Sequence, residues 1–129
     1  MKKFVFLTAL VLSSILLFPA KAWARVVSSE QPITITEEEF IAEDLYIAGP
    51  QVTVAGTVEG DLYAAGGAVI ITGTINGDVL AAGGNIRISG DVGQDVRVGG
   101  GMINVDGAAI GDSLTVFGGN LRVDEASSV

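Results

Sequence analysis

Apolar residues recur along this chain with a fixed period of 17 residues. The segments 43–59, 60–76, 77–93 and 94–110 align on one another, and a further copy begins near Asp112 after a step of 18. Within one unit the apolar positions are 2, 4 and 4 residues apart, as from Val69 to Ile71, Ile75 and Val79. A pattern that repeats at a fixed length is the sequence signature of a stacked repeat protein.

The spacing within the unit predicts strands, because apolar residues two apart share one side of a strand. Three strands are expected per unit, at Leu62–Ala65, Ala68–Thr72 and Thr74–Asn76. A chain that returns after 17 residues keeps its apolar columns in register, so we predict an all-β fold, a parallel β-helix with triangular coils. The predicted core columns contain Leu62, Val69, Ile71, Ile75, Val79, Ile86, Ile88, Val92, Val96, Ile103 and Val105.

Glycines mark the predicted corners of the coil. We expect many of them to take positive φ, which glycine tolerates at little cost. At the third corner, Gly60-Asp61 and Gly77-Asp78, the Asp side chain is expected to bond a nearby backbone N–H. The first corner contains Gly66, Gly67, Gly83, Gly84, Gly100 and Gly101, and the second contains Gly56, Gly73, Gly90 and Gly107.

The region before the regular units is predicted to form an irregular first coil. Counting back 17 residues from Val52 and Val58 places Ile35 and Ile41 in the core columns. The acidic run 37–39 with Phe40 is open to two interpretations, a cap over the end of the core or an exposed loop. Residues 25–31 are expected to be a mobile polar linker before a repeat domain over 32–129.

Residues 1–24 are predicted to be a secretory signal peptide. Lys2 and Lys3 precede a largely apolar run over 4–18, and Ala22-Trp23-Ala24 has the A-x-A form of a cleavage site. The alternative is an uncleaved anchor that tethers the repeat domain outside the inner membrane. Either way the protein is expected to be exported, to the periplasm, the cell envelope or the extracellular space.

The charge and composition of the chain disfavour several classes of function. After cleavage, four Arg and fifteen Asp and Glu residues give a net charge of −11, which disfavours nucleic acid and anionic lipid as partners. The chain has no Cys and no His, so thiolate chemistry and the commonest general base are excluded. No acid–base pair with a reason for a shifted pKa is evident, so neither catalysis nor a cofactor is expected.

One motif occupies residues 58–75 and 75–92, with the form V-x-G-D-[LV]-x-x-x-G-G-x-[VI]-x-[IV]-x-G-x-[VI]. It resembles the repeated unit of the bactofilin family of polymer-forming cytoskeletal proteins. The resemblance covers about residues 41–129. It implies a right-handed β-helix that binds no nucleotide and polymerises end to end, as a scaffold for envelope proteins or cell-wall enzymes.

The chain departs from the bactofilin pattern in two ways. It has a leader in place of a short membrane-targeting tail, which is expected of an exported relative. It also stops at Val129 within a coil, which suggests a C-terminally truncated β-helix. Contact with a membrane is therefore expected only through the leader or a missing C-terminal segment.

Three surface features are candidate sites. The column Asp44, Asp61, Asp78 and Asp95 is a turn former or, less favoured, a Ca²⁺ site. The outward column Tyr46, Tyr63 and Leu80 is a candidate lateral contact or glycan platform. The third is the open end around 113–129, whose strand edges are expected to pair with another chain. The sequence thus predicts a self-assembling structural protein, with an extracellular glycan- or calcium-binding module as the alternative.

Overall fold

The structure is a computed structural model that describes residues 24–124 and 127–129. Except for Ala24, the predicted signal peptide lies outside the described residues. Within the described ranges, no helix is long and apolar enough to cross a membrane. The strands are β1 (Ala24–Ser28), β2 (Ile33–Ile35), β3 (Phe40–Ile41), β4 (Asp44–Val54), β5 (Thr57–Val58), β6 (Leu62–Ile71), β7 (Thr74–Ile75), β8 (Val79–Ile88), β9 (Asp91–Val92), β10 (Val96–Val105), β11 (Ala109–Ile110) and β12 (Leu114–Val123).

Successive coils stack in parallel and confirm the predicted β-helix. The long strands form one sheet in the order β1-β4-β6-β8-β10-β12, with β2 also paired to β4. The short strands form a second sheet in the order β11-β9-β7-β5-β3. Leu62 lies beside Val79 and Val79 beside Val96, each a step of 17, and the last step, from Val96 to Leu114, is 18. Within the described residues, each turn of the chain therefore pairs with the turns directly before and after it in the stack.

The first two strands predicted in each unit are one bent strand. Leu62 and Ala64 of β6 are buried, and so are Val69 and Ile71, an odd number of residues later. The inward side of the strand therefore switches near Gly66-Gly67, where the chain turns a corner. Pairing continues through the bend because Gly66 still lies beside Gly83. With the short strand β7, the coil has the three sides that the sequence predicts.

The core is a single aliphatic cluster that runs along the stack. No polar or charged side chain among the described residues is buried, so the interior is stabilised by apolar burial at about 1.5–3 kcal/mol for each Val, Leu or Ile. The predicted core residues of the regular coils all lie in this cluster: Leu62, Val69, Ile71, Ile75, Val79, Ile86, Ile88, Val92, Val96, Ile103 and Val105.

At many of the corner positions glycine is required for a reason other than the predicted positive φ. Among the described glycines only Gly107 has a positive φ, of 63°. A Cβ added at Gly83 would collide with the carbonyl oxygen of Gly66 one coil earlier. The same collision recurs at Gly66, Gly100, Gly73 and Gly90 with the backbone of the coil before each. Coils approach so closely at these corners that a side chain would push them apart.

Gly107 is the extra residue of the 18-residue step. Ala109 pairs with Asp91, so Ala108 occupies the position that Gly90 holds one coil earlier. Ala108 is buried, whereas Gly107 is exposed, and a Cβ added to it would have no atom within 4 Å beyond those of its two chain neighbours. The second glycine column therefore continues into Ala108, and the prediction that Gly107 belongs to it is wrong.

The first coil differs from the prediction at both of its sides. Ala24–Ser28 is strand β1 and pairs with β4, where a mobile linker was expected over 25–31. In β2, Ile33 lies beside Val52 and Ile35 beside Val54, so the step is 19 residues and Ile35 is one core position later than predicted. Ile41 lies beside Val58, as the 17-residue count predicts.

The turn after β2 contains the two additional residues. The Glu39 N–H donates to the Thr36 carbonyl at 3.0 Å, and the Thr36 N–H donates to Glu39 Oε1 at 3.3 Å. Glu37 and Glu38 are exposed, and Phe40 is 60% exposed on the outside of β3. The acidic run is thus a surface turn and does not cap the core.

Candidate functional site

The aspartate column forms a ladder of side-chain bonds between coils. Asp44 Oδ1 accepts from the Asp61 N–H at 2.7 Å, and Asp61 Oδ1 accepts from the Asp78 N–H at 2.7 Å. Asp78 Oδ1 accepts from the Asp95 N–H at 2.9 Å, and Asp95 Oδ1 accepts from the Ser113 hydroxyl at 2.7 Å. Each carboxylate thus fixes the corner of the next coil, and the predicted bond from Asp to a nearby backbone N–H joins successive coils.

This ladder also explains the glycines before the aspartates. A Cβ added at Gly60 or Gly77 would collide with the Asp44 or Asp61 carboxylate of the coil before. Because one oxygen of each carboxylate already accepts a backbone N–H, the column offers little of the oxygen-rich shell that Ca²⁺ needs. No group of three or more His, Cys, Asp or Glu residues in the described ranges is arranged to hold a metal ion.

The first side of each coil carries an outward apolar surface that crosses the stack. Tyr46 lies beside Tyr63, and Tyr63 beside Leu80, so these residues form the column that the sequence predicts. Two residues further along each strand lie Ala48, Ala65 and Ala82, which form a floor beside the larger side chains. The surface borders an open groove of about 610 Å³ that extends from β1 to β12.

The tyrosine geometry disfavours a glycan platform. The rings of Tyr46 and Tyr63 are stacked, with centroids 4.5 Å apart and planes 5° from parallel. One face of each ring is therefore covered by the other ring, and the opposite faces point along the ladder towards Val26 and Leu80. A sugar that stacks on an aromatic ring needs an open ring face, and the stacked pair leaves at most one face of each ring for it.

Burial raises the pKa of the Tyr63 hydroxyl above its ordinary value of 10.0, and the Asp61 carboxylate raises it further. We expect Tyr63, as the remaining tyrosine of the Tyr46→Phe variant, to titrate above pH 10 in an absorbance titration of the folded protein. Since the neutral form is favoured in the folded state, its contribution to stability is present below pH 10 and is lost as the pH rises through the folded pKa. An unshifted midpoint, matching that of the unfolded chain, would show that the ring is well solvated.

The outward face of the second side contains two Arg residues, Arg87 and Arg122, among polar and apolar neighbours. Arg87 forms an ion pair with Asp106 at 3.1 Å, and both side chains are partly or largely exposed. Arg97 lies 3.7 Å from Asp95, next to the apolar surface of the first side. These are surface ion pairs, which contribute roughly 0–1 kcal/mol each.

The last coil exposes residues that correspond to core positions. Leu121 and Val123 of β12 lie beside Ile103 and Val105, which are fully buried, yet they are 50% and 46% exposed. Leu114 and Val116 are half-buried and pack against the core cluster. In the described part of the chain, β12 pairs only with β10. An apolar surface and an unpaired strand edge therefore coincide at this end.

Some features of these surfaces were not identified from the sequence. Val26 joins the tyrosine column through β1, which had been predicted to be a linker. Phe117 is 71% exposed at the other end of the groove, and Arg97 lies between them. Their outward positions follow from the alternation along each strand, so the signal was present in the same period-2 pattern.

No protein-family model matches the chain, and neither a curated protein nor a solved structure matches it. The resemblance to bactofilins therefore stays a prediction from the repeat motif.

Proposed function

We propose that this protein is an exported, non-enzymatic structural protein of the bacterial cell envelope that assembles through the ends of its β-helix. The observation that carries the proposal is β12, the last described strand, where Leu121 and Val123 expose an apolar surface beside an edge that has no partner among the described residues. An edge of this kind is a template for pairing with another chain. The occupant we propose is a coil of a second copy.

The regular stack supports this mechanism. Parallel coils with like side chains in register offer an end surface that resembles their own interior, so a further coil would extend both the hydrogen bonds and the apolar columns. Along the sides, the negative charge of the chain opposes unspecific clumping. The assembly expected from these two properties is a stiff, extended polymer that serves as a scaffold.

The test is negative-stain microscopy and pelleting of the chain that begins at Arg25, with and without EDTA. Filaments or sheets in both conditions are expected, because the ladder carboxylates already accept hydrogen bonds from backbone N–H groups. Leu121→Lys should abolish them by placing a charge in the end surface, whereas Asn120→Lys, on the outward side of the same strand, should not.

Circular dichroism melts of both variants separate loss of assembly from loss of folding. Monodisperse wild-type particles would overturn the proposal and make a binding module the leading interpretation. Polymers that persist unchanged in a folded Leu121→Lys variant would show that assembly uses another surface.

A further inference from the structure

Each coil presents one large and one small outward residue on its first side. The large residues form a ridge column and the small residues form a groove column two positions along the strand. The ridge column contains Val26, Tyr46, Tyr63, Leu80 and Arg97. The groove column contains Ser28, Ala48, Ala65, Ala82 and Gly99. In the last coil the order is reversed, because Thr115 continues the ridge column and Phe117 the groove column.

This arrangement is complementary to itself under one symmetry operation. A two-fold axis parallel to the stack, between two first sides that face each other, places the ridge column of each copy over the groove column of the other. Tyr63 of one copy then lies over Ala65 of the second copy, and Phe117 lies over Thr115 of the second copy. The reversal in the last coil is therefore matched as well.

We propose that the first side is a lateral contact surface for a second copy of this chain, with the two stacks side by side and parallel. An antiparallel arrangement, with the two-fold axis perpendicular to the stack, would place ridge against ridge and groove against groove. The size pattern of the two columns thus selects both the partner and its orientation.

Charge favours the same arrangement. The ladder that contains Asp44, Asp61, Asp78 and Asp95 borders the ridge column. In the parallel pair each ladder faces the glycine corner of the other copy, whereas in the antiparallel pair the two acidic ladders would face each other. Arg97, which is 61% exposed, would lie over Gly99 of the second copy and within one coil of its Phe117 ring. A guanidinium beside an aromatic ring is a favourable contact.

The area is sufficient for weak association. Six coils at about 4.8 Å and about five strand residues at about 3.3 Å give a surface on the order of 500 Å² per copy. Two copies would bury on the order of 1,000 Å² in total, which is the range of reversible contacts. The proposal does not require end-to-end assembly, although stacked copies would repeat the contact along a polymer and strengthen it.

Sedimentation equilibrium of the Leu121→Lys variant, whose end surface is blocked, measures the lateral contact alone. We expect a reversible dimer. Adding Ala65→Tyr should raise its dissociation constant at least about tenfold, because the new ring occupies the groove that receives Tyr63 of the second copy. Exchanging the pair, Tyr63→Ala with Ala65→Tyr, restores one large and one small residue and should restore the dimer.

Ala68→Tyr is the matched control, since Ala68 is on the outer face of the second side of the same coil and should leave the dimer unchanged. A monomer at all concentrations would overturn the proposal. So would an unchanged dissociation constant with Ala65→Tyr, and failure of the exchanged pair to recover would overturn the parallel arrangement. If wild-type chains dimerise without forming filaments, the lateral contact stands and the end-to-end proposal fails.

Discussion

Replacing Ile88 with Asp is expected to abolish cooperative folding. Ile88 is fully buried, and its neighbours along the ladder, Ile71 and Val105, are also fully buried. A carboxylate at this point has no polar partner, so it must remain charged in an aliphatic core or take up a proton. Either outcome costs on the order of 5 kcal/mol, which is comparable to the total stability of a small domain. Denaturant melts followed by circular dichroism measure the loss.

The matched control is Asn85→Asp, three residues earlier on the same strand. Asn85 is exposed and lies on the outward side between Ala68 and Met102. The new charge remains in water, so the free energy of unfolding should change by roughly 0.5 kcal/mol or less. Equal stability of the two variants would contradict the assignment of inward and outward positions.

The second large effect is expected for Gly83→Ala. The new methyl group would collide with the carbonyl oxygen of Gly66, which is backbone and takes part in the ladder between β6 and β8. Since neither atom is at the end of a flexible side chain, the coils must separate locally and weaken their hydrogen bonds. We expect a loss of at least about 3 kcal/mol in the free energy of unfolding, measured by urea denaturation.

Gly84→Ala provides the comparison at the next residue. Its added Cβ would lie 3.1 Å from the Gly67 carbonyl oxygen, a tight contact that a small shift can relieve. Alanine also restricts the unfolded chain, so the net change should be within about 1 kcal/mol. A similar loss for both variants would mean that backbone conformation, and not the approach of successive coils, makes glycine necessary at this corner.

The fold was predictable from the sequence because one pattern specifies it several times. Val69, Ile71, Ile75 and Val79 define the inward positions of a coil, and the next unit repeats the same spacing at Ile86, Ile88, Val92 and Val96. A parallel stack is the arrangement that keeps all these columns aligned, so local and global preferences agree. The unit motif thus determined the core even where single residues varied.

The predictions from sequence that proved wrong concern residues whose positions depend on how successive coils fit together. Glycine spacing is the same for a positive φ and for close backbone approach, so the sequence alone could not separate these causes at Gly73 or Gly83. In the first coil the Thr36–Glu39 turn adds residues, and a count of 17 therefore misplaced Ile35. Gly107 was misassigned because this turn also contains an extra residue. Gly107 is that extra residue, and Ala108 fills the buried position.

The candidate surfaces were predicted in part. The column of Tyr46, Tyr63 and Leu80 followed from alternation along the strands, but the small residues beside it form no distinctive sequence pattern. Stacking of the coils aligns Ala48, Ala65 and Ala82 into a groove column beside the ridge column, and this alignment depends on the register between coils. For the Asp44–Asp61 ladder, the residue type was recognised, but its bond spans two coils and so required the stacking distance.

Each turn of the β-helix pairs with the adjacent turns, so the length of the molecule can follow the length of its gene. A duplicated or deleted block of 17 residues creates no new kind of interface, because the unit 60–76 meets 77–93 through the same pairs that join 43–59 to 60–76. Chain length can therefore change in steps of one turn, about 4.8 Å each, while the cross-section stays constant. Related proteins of this kind would therefore differ in length by whole turns and share the same cross-section.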